Sequence, residues 1–426
     1  MKRLSIIATL ALAGLAGCVD HEPGLIVTQA LQVEITKVAD IAPPELGSED
    51  APLDPTCADP DVDCDREVQI VVTAIGPDGL VDTDFNFNVQ VRAQFLGRVT
   101  PEIGTQPLGL VELVNGESVP TSVVLPEVMY GDTRVWVEDA GDGGTYATGT
   151  SPVLHYRDPF IVDLQQPVDE TALAALVTSP LEDRQVRVEG SRYGADGHLI
   201  VTSIYAQGYT VSDVECAAGG VPPCVAHDYD HVLVFSFSRP RDENFCDIVV
   251  GQYIDGFAGA VSEFNGLTEI GFPQTFVAAT RDQDGHQNCD GRTVNPAALP
   301  PPAHVVVDGP DAWLSNPDLP QNGAIQFERN EGGLISVDTA TLGAGFPITC
   351  PLDDQFETYK QWELDIGLGC GIPISAITAG TVSSWVPEDH VGEELTQVVG
   401  SLRPVNGSGG FNVWIIYPRS MDDLVP

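Results

Sequence analysis

The chain has 426 residues, of which 62 are acidic and 19 are basic, giving a formal net charge of −43. Such a surface repels polyanions, and no cluster of Lys and Arg is present that would neutralise phosphates, so nucleic acid is a disfavoured partner. The 43% of hydrophobic residues is enough to bury real cores, which excludes wholesale disorder. The length suits about two to four domains, and the many glycines and prolines favour strands joined by turns.

The N-terminal segment carries the most specific signal. Lys2 and Arg3 precede an apolar run, Leu4 to Leu15, which is followed by Ala16, Gly17 and Cys18. This order predicts a secretory signal, and the run is shorter than the roughly 20 residues of a membrane-spanning helix. The ending resembles the lipobox of bacterial lipoproteins, which implies that residues 1–18 are a lipoprotein signal and that Cys18 is acylated. The alternative is an ordinary signal peptide with an accidental cysteine.

The resemblance to lipoproteins also implies an address. We expect a membrane-tethered protein of the cell envelope, whose partners are the membrane, reached through Cys18, and an unidentified envelope or extracellular ligand. Val19 rather than Asp follows the cysteine. In bacterial lipoproteins an Asp there marks retention in the inner membrane, so the outer membrane is the expected location, on its periplasmic or its outer side.

Eight cysteines remain in the exported part, and an even number in an oxidising compartment predicts four disulfides. Eight cysteines allow about 105 pairings. Proximity favours neighbours, namely Cys57–Cys64, Cys216–Cys224, Cys246–Cys289 and Cys350–Cys370.

Residues 19–29 are predicted to be a short tether, and residues 30–165 a first β domain. Alternating strand patterns occur at residues 31–36, 68–74, 87–93, 122–125 and 133–139, with turn signals between them, and this spacing favours a β-sandwich. An acidic, proline-rich insert, residues 42–65, is expected to be a surface loop held by a disulfide. The order of strands resembles bacterial immunoglobulin-like domains.

Residues 163–178 are predicted to form a linker with a short helical stretch at 170–176. Residues 176–296 then show five or six strand patterns, at 181–190, 197–203, 231–238, 248–256, 260–270 and 274–277, which suits a small β-barrel. A proline-rich linker is expected at residues 297–326. Further strand patterns at 332–337, 374–377, 396–402 and 412–417 predict a last domain over residues 327–426.

A family resemblance covers residues 181–424. The stretch Gly259–Ile270 resembles the motif G-x-V-x-E-(F/Y)-x-G-x-T-x-I of the oligonucleotide/oligosaccharide-binding (OB) barrels that secreted bacterial nucleases carry ahead of their catalytic domain. Similar matches follow in the family's order: the proline-rich joint at 299–303, the strand motif E-x-x-E-G-x-L-V-x-V at 328–337, and the ending at 399–424. The resemblance implies an all-β fold, an Ig-like β-sandwich followed by two small OB-like β-barrels. In the nucleases a metallophosphatase-like domain comes next, so the resemblance implies barrels without the enzyme and supplies no catalytic residue.

Two acidic loops are candidates for calcium, which binds six to eight oxygen ligands. The first loop spaces Asp59, Asp61 and Asp63 by two residues inside the insert. The second holds Asp282 and Asp284 before a turn glycine and Asp290 further on, but lacks a glutamate at the twelfth position. Calcium is therefore the one cofactor considered, and the alternative for both loops is a solvated loop.

Two other groups of residues are candidate sites. His227, Asp228, Asp230 and His231 lie close together in sequence, as metal ligands or, more simply, as a polar entry to a strand. Aromatic residues on strand patterns offer stacking surface for a ligand, or core packing: Tyr205, Tyr209, Phe235, Phe237 and Tyr253.

The chain contains no G-x-S-x-G, no H-E-x-x-H and no phosphate-cradling glycine loop, which are patterns of common hydrolases and nucleotide-binding enzymes. We therefore expect a non-enzymatic, lipid-anchored envelope protein acting as a structural or binding module. One alternative is an accessory binder of polysaccharide or extracellular nucleic acid. Another is a diverged metal-dependent hydrolase, for which the aspartate clusters are the motivation.

Overall fold

The computed structural model describes residues 28–38, 47–48, 51–56, 66–99, 107–126, 129–140, 147–167, 169–170, 178–264, 266–277, 288–314, 316–343, 361–366, 374–377, 385–407 and 411–426. Within these residues the fold is all-β, as the sequence predicts: three sheets and two short α-helices. The N-terminal signal, Cys18 and the tether up to residue 27 lie outside the described residues.

The first sheet has nine strands, in the order β1-β2-β5-β4-β3-β7-β8, with β6 also on β2 and β9 also on β7. Their bounds are β1 (Ala30–Val38), β2 (Glu67–Ile75), β3 (Asn88–Phe95), β4 (Gly109–Val114), β5 (Glu117–Ser118), β6 (Thr121–Val124), β7 (Asp132–Asp139), β8 (Thr148–Thr150) and β9 (Leu154–His155).

The first sheet curls until its two end strands meet around one apolar core. In β2 every second residue is buried, from Val68 to Ala74, as the alternation of side chains along a strand requires. The close approach of β8 to β1 depends on Gly149, because a Cβ there would lie far inside van der Waals contact with the backbone of Leu31. All five predicted strands are present as β1, β2, β3, β6 and β7. Strand β4 escaped prediction because Leu110 and Val114 are apolar but exposed, which hides the alternation.

The helix α1 (Ile161–Gln165) follows the first sheet. Its Ile161 and Leu164 are fully buried in the core of the second sheet, together with Val99 and Tyr130 from the first. The predicted helical stretch at 170–176 lies almost wholly outside the described residues.

The second sheet closes into a ring. It contains β10 (Gln185–Glu189), β11 (Gly197–Tyr205), β12 (Gly208–Ala217), β13 (Val221–Val225), β14 (His231–Phe235), β15 (Tyr253–Ile254), β16 (Gly256–Phe264) and β17 (Leu267–Phe276).

The ring of this first barrel runs from β11 through β12, β14, β17 and β16, and returns to β11 through β15, the short strand just before β16. All of its pairings are antiparallel except β14 with β17, which is parallel. The chain order around the ring is thus first, second, third, fifth and fourth strand, a Greek-key closure of the OB type. Sequence patterning missed β12, whose residues from Gly208 to Val214 are buried irrespective of which face they occupy.

The third sheet repeats this closure. It contains β18 (Ala303–His304), β19 (Leu334–Leu342), β20 (Gln361–Asp365), β21 (Ile374–Ile377), β22 (Glu394–Gly407), β23 (Phe411–Tyr417) and β24 (Leu424–Val425), and the helix α2 (Ile325–Arg329) lies between β18 and β19. The ring of the second barrel is β19-β20-β21-β23-β22 and back to β19, again with the third and fifth strands, β21 and β23, parallel. All four predicted strands of this region are present.

The proline-rich stretch predicted as a linker, residues 297–326, contributes to the second barrel. Its Ala303 and His304 pair with β19, and Trp313 and Leu314 are buried in the barrel core against Phe327. The domain boundaries proposed from the sequence stay predictions.

Two of the predicted disulfides are present, Cys216–Cys224 and Cys246–Cys289, with Cα–Cα separations of 3.9 and 5.5 Å. The first staples β12 to β13, and the second ties the connection before β15 to the turn at 289–291. The other four cysteines, Cys57, Cys64, Cys350 and Cys370, lie outside the described residues.

The first sheet and the first barrel are joined directly. Val99 pairs with Val186 as an isolated bridge, and the Arg187 N–H donates to the Arg98 carbonyl over 2.9 Å. The Arg98 guanidinium forms ion pairs with Asp158 (3.0 Å) and Glu189 (2.7 Å), one acid from each side of the joint. A cleft of about 580 Å³ lies beside these pairs. Burial and paired charge therefore limit how freely these two units move against each other.

We expect Gly149→Ala to destabilise the first sheet, because its methyl group would collide with the β1 backbone at Leu31. Overpacking of this kind costs about 1–3 kcal/mol. The matched control is Gly109→Ala in β4, where an added Cβ meets no atom within 4 Å. Calorimetric melting should show a lower Tm for the first variant only; equal Tm values for both would contradict the close packing of β1 and β8.

Candidate functional site at the junction between the two barrels

The residues of the family-like motifs converge where the first barrel meets the chain that enters the second. Glu263, the glutamate of the first motif, accepts hydrogen bonds through Oε1 from the Thr268 hydroxyl (2.7 Å) and the Ser179 N–H (2.8 Å). The Thr268 N–H donates in turn to Glu331 Oε1 over 2.9 Å. Glu331 belongs to the second motif, so two stretches about 60 residues apart in sequence meet in one hydrogen-bonded group.

The two glycines after Glu331 let the backbones of the barrels touch. Gly332 has a φ of +75°, which favours glycine, and a Cβ on it would lie 3.4 Å from the Val232 backbone. A Cβ on Gly333 would overlap the imidazole of His231. This explains physically why the motif reads Glu-Gly-Gly at this place.

His231 is held inside the junction and does not face an open site. Its Nδ1 hydrogen-bonds the Ser212 hydroxyl over 2.7 Å, and its backbone carbonyl accepts from the Gln165 side chain of α1 over 2.7 Å. Burial lowers the pKa of His231 to about 4, because a charged imidazolium would be desolvated there. The ring is therefore neutral at physiological pH and acts as a packing group.

Three glutamates share this junction, and their electrostatics differ from those of surface carboxyls. Glu331 is 2% exposed and Glu328 is 7% exposed. Burial raises the pKa of Glu331 well above its ordinary value, and the nearby carboxylates Glu328 and Glu263 raise it further. Since like charges in a desolvated site oppose ionisation, the junction favours the protonated form of Glu331.

A second set of contacts joins the outer faces of the barrels. The Ser203 hydroxyl in β11 hydrogen-bonds the Ser401 hydroxyl in β22 over 2.6 Å, and both residues are fully buried. Next to them the Arg403 guanidinium lies over two rings, 3.7 Å from the centroid of Tyr205 and 4.5 Å from that of Tyr417. Tyr205, considered above as a stacking residue for a ligand, thus packs against the second barrel.

A third set ties α2 to the chain between the first sheet and the first barrel. Arg329 Nη2 donates to Glu170 Oε2 over 2.6 Å, and its Nε to Oε1 over 3.2 Å. The Arg329 carbonyl accepts from the Tyr229 N–H over 2.7 Å. The Tyr229 hydroxyl also donates to Glu170 (2.6 Å), so this acid is held by both sides of the joint.

The motif at the C-terminal end closes on itself. The Arg419 side chain donates to both carboxylate oxygens of Asp423, over 3.0 and 2.8 Å, and the Arg419 N–H donates to Oδ2 over 2.7 Å. The Ser420 hydroxyl accepts from the Asp422 N–H as the cap of the 3₁₀ turn. The Pro-Arg-Ser sequence therefore forms a hydrogen-bonded turn that positions β24.

The proposed cluster of histidines and aspartates does not converge on one point. His227 pairs with Glu215 (2.9 Å), and Asp228 lies 3.6 Å from Arg329. Asp230, whose side chain is fully buried, accepts from the Tyr193 hydroxyl (2.7 Å) and pairs with Arg192 (3.0 Å). The cluster is a hydrogen-bonded entry to β14, the simpler of the two interpretations.

The calcium candidates fall mostly outside the described residues, namely Asp59, Asp61, Asp63, Asp282 and Asp284. Asp290 is described and lies in the 3₁₀ turn at Cys289–Gly291. In the part of the chain that the structure describes, no group of three His, Cys, Asp or Glu side chains is placed to hold a metal ion. Calcium binding by the two loops stays a prediction.

The predicted aromatic residues divide between core and surface. Tyr209 is buried and hydrogen-bonds the Thr275 hydroxyl over 2.7 Å, which is a core role. Phe235 and Phe237 are in contact, with ring centroids 5.0 Å apart, and Phe237 lies 5.0 Å from Phe272. Phe237 and Phe272 are 63% and 78% exposed. Sequence reasoning missed Phe272, whose φ of +51° at an irregular position of β17 turns the ring outward.

A buried acid that the sequence reasoning also missed is Asp213 in β12. It accepts from the Ser191 hydroxyl and, over 2.8 Å, from the Arg192 N–H. Burial raises its pKa to about 7, against hydrogen bonds that lower it. It ties β12 to the loop after β10, and no pattern in the sequence distinguishes it from the many exposed aspartates.

Comparison of the chain with protein-family models, with curated proteins and with solved structures found no match. Among the described residues, no helix is both long and apolar enough to cross a membrane. The fold and the junction therefore define the class of protein: an all-β chain in which a curled β-sheet precedes two barrels with OB-type closure. Kinship with the nuclease barrels stays a prediction.

The raised pKa of Glu331 predicts a pH-dependent stability. Because the unfolded carboxyl ionises near its ordinary pKa of 4.5 and the buried one above it, the free energy of unfolding falls as the pH rises from about 4.5 through the folded value. Glu331→Gln keeps an acceptor for Thr268 and removes this ionisation. Melting curves should be measured from about pH 5 to about pH 9, which covers the region above the ordinary carboxyl pKa. The Tm should fall more steeply with pH for wild type than for the variant.

The control is Glu112→Gln, an exposed glutamate of β4, which should follow the wild-type curve. Comparing variants with wild type cancels the contributions of Asp213 and His231. Parallel Tm curves for wild type and Glu331→Gln would show that Glu331 is ionised in the folded protein at neutral pH.

Proposed function

We propose that the chain is a non-enzymatic, lipid-anchored protein of the bacterial cell envelope, in which three joined β units serve as a structural or binding module. The observation that carries this proposal is that the residues of the family-like motifs form contacts at the junction between the barrels. Glu263, Thr268, Glu331 and Gly333 are engaged at the junction of the barrels, and none of them lines the cleft beside Arg98 or the cleft on the first barrel at Tyr253. Residues of this kind hold units in a set arrangement, which a spacer needs.

The joints themselves support a load-carrying role. Hydroxyl pairs, backbone contacts and a carboxyl of low exposure are buried between the barrels, and Val99 and Val186 connect the first barrel to the sheet before it. A buried hydrogen-bonded pair such as Ser203 and Ser401 favours one arrangement of the barrels over alternatives. An envelope spacer with three such units would transmit force without a flexible linker at every joint.

The disulfides support export. Disulfides persist in oxidising compartments and are rare in the cytosol. The two found here, Cys216–Cys224 and Cys246–Cys289, both lie in the first barrel or next to it. They agree with the predicted secretory signal and, through it, with an envelope location, while the lipid on Cys18 is the part of the proposal that rests on the sequence alone.

The anchor is tested by changing Cys18. We expect the wild-type protein, produced in a bacterium with a lipoprotein pathway, to enter the detergent-rich phase on phase separation and to carry fatty acid on its N-terminal cysteine by mass spectrometry. Cys18→Ala removes the acyl acceptor and should leave the protein in the aqueous phase. Cys216→Ala, which affects a disulfide and not the anchor, is the control and should still partition into detergent. An aqueous wild-type protein without fatty acid would refute the anchor.

A second candidate function is an accessory binder of polysaccharide or of extracellular nucleic acid. The specific observation in its favour is the exposed pair Phe237 and Phe272 on the first barrel, with the half-buried Phe235 beside them, since solvated aromatic groups commonly serve binding. The net charge of −43 weighs against nucleic acid and leaves polysaccharide as the better ligand class.

The second candidate predicts binding on a glycan array and no shift of labelled single-stranded DNA at low salt, where electrostatic attraction is strongest. Phe237→Ser with Phe272→Ser should lower glycan binding if these rings are the contact surface. Val124→Ser, which alters an exposed apolar residue of the first sheet, is the control. Silence of the wild-type protein in both assays would remove this candidate.

A further inference from the structure

A cleft of about 450 Å³ opens on the first barrel, away from the junction described above. It is bounded by β11, by β15 with the bend that follows it, by the loop after β10 and by the segment at residues 292–293. Glycines at 190 and 194 line it with bare backbone, and an added Cβ at either would meet no atom within 4 Å. The side chains that matter for its chemistry are Ser191, His198, Tyr253, Asp255, Arg292 and Thr293.

One wall of the cleft is aromatic and fixed in place. The Tyr253 ring stacks on the His198 ring, with centroids 4.2 Å apart and planes inclined by 13°. The Asn295 amide donates to the Tyr253 hydroxyl over 3.1 Å, and the His198 Nε2 hydrogen-bonds the Gly220 carbonyl over 2.8 Å. Both rings are therefore held before any ligand arrives, which lowers the entropy cost of binding.

The same cleft contains one acidic and one basic side chain that form no ion pair with each other. The Asp255 carboxylate accepts no hydrogen bond and forms no ion pair with the described residues. Burial raises its pKa, and the carboxylates of Glu243 and Glu189 add to this. Arg292 donates through Nη1 to the Asp247 carbonyl and forms no ion pair within the part of the chain that the structure describes.

Within the described residues Arg292 forms no ion pair with a carboxylate, whereas other arginines do. Arg98, Arg157, Arg329 and Arg419 all lie within 3.0 Å of a carboxylate. Arg292 and Asp255 instead leave a guanidinium donor and a carboxylate acceptor on the walls of one cleft, beside the hydroxyl of Thr293. A ligand that suits this set carries closely spaced groups that both donate and accept hydrogen bonds, and an apolar face for the aromatic wall.

We propose that this cleft binds a neutral sugar unit of a polysaccharide. Sugar hydroxyls both donate and accept, which matches Asp255 and Arg292 together, and the C–H face of a pyranose packs against a ring such as Tyr253. One positive and one negative side chain give the cleft no net attraction for an anion, and the net charge of the chain repels a polyanion. The proposal rests on the second candidate function, gives it a binding site separate from the Phe237 and Phe272 rings, and does not depend on the lipid anchor.

The test uses the purified full-length protein in a detergent without a sugar headgroup. Maltotriose, cellotriose and chitotriose are the probes, titrated by isothermal calorimetry. We expect one of them to bind, and Asp255→Asn and Arg292→Gln to weaken its binding by about tenfold or more each, since each change removes a hydrogen bond to a charged group. Tyr253→Ala should weaken binding too, with circular dichroism and Tm as the check that the variant folds.

The matched controls are Asp338→Asn in the second barrel and Arg239→Gln, both well exposed and outside the cleft. They should bind as wild type does. If a trisaccharide binds and the cleft variants bind it equally well, the cleft proposal is overturned while a polysaccharide binder remains supported. If none of the three probes binds to the wild-type protein, the cleft proposal is overturned, and the glycan array then decides the second candidate function separately.

Discussion

Direct contact between the two barrels is the constraint on which their arrangement depends. Gly332, at a φ of +75°, lies against the Val232 backbone of β14, and a Cβ on Gly333 would overlap the His231 ring, so the segment that enters β19 is seated on the first barrel before its own barrel begins. Glu331, immediately before them, completes the hydrogen bonding of Thr268 at the start of β17. Two glycines and one buried acid thus couple the end of one barrel to the beginning of the next.

Because the chain is strongly acidic, the few basic residues at the joints are important for holding the units together. Basic residues are scarce, and several of them lie at joints: Arg98 between the first sheet and the first barrel, Arg329 at the end of α2, and Arg403 over the tyrosine pair. Each carries a positive charge into a place where acidic neighbours or aromatic rings surround it. In a protein of net charge −43, placing arginines between units offsets the repulsion that the units would otherwise exert on one another.

The family-like motifs could be recognised in the sequence, but the hydrogen bonds that their residues form could not be predicted from it. Glu263, Thr268 and Glu331 are ordinary polar residues, and nothing in their spacing says that they hydrogen-bond across a domain junction. Tyr205, for which the sequence allowed either ligand stacking or packing, contacts Arg403 and Tyr417 from β22 and β23. Such contacts are absent from any local pattern because their partners are brought together only when both barrels have closed.

The all-β class, the positions of most strands and two disulfides could be predicted from the sequence, because alternation of apolar residues, turn residues and cysteine spacing are local signals. Which strands close the barrels, and what the outer faces of the barrels contact, could be seen only in the folded chain. Strand β12 shows the reason: Thr210, Ser212 and Asp213 are polar yet fully buried, since neighbouring strands, loops and the second barrel satisfy them from outside the strand. Burial of that kind depends on partners distant in the chain, and a local pattern contains no record of them.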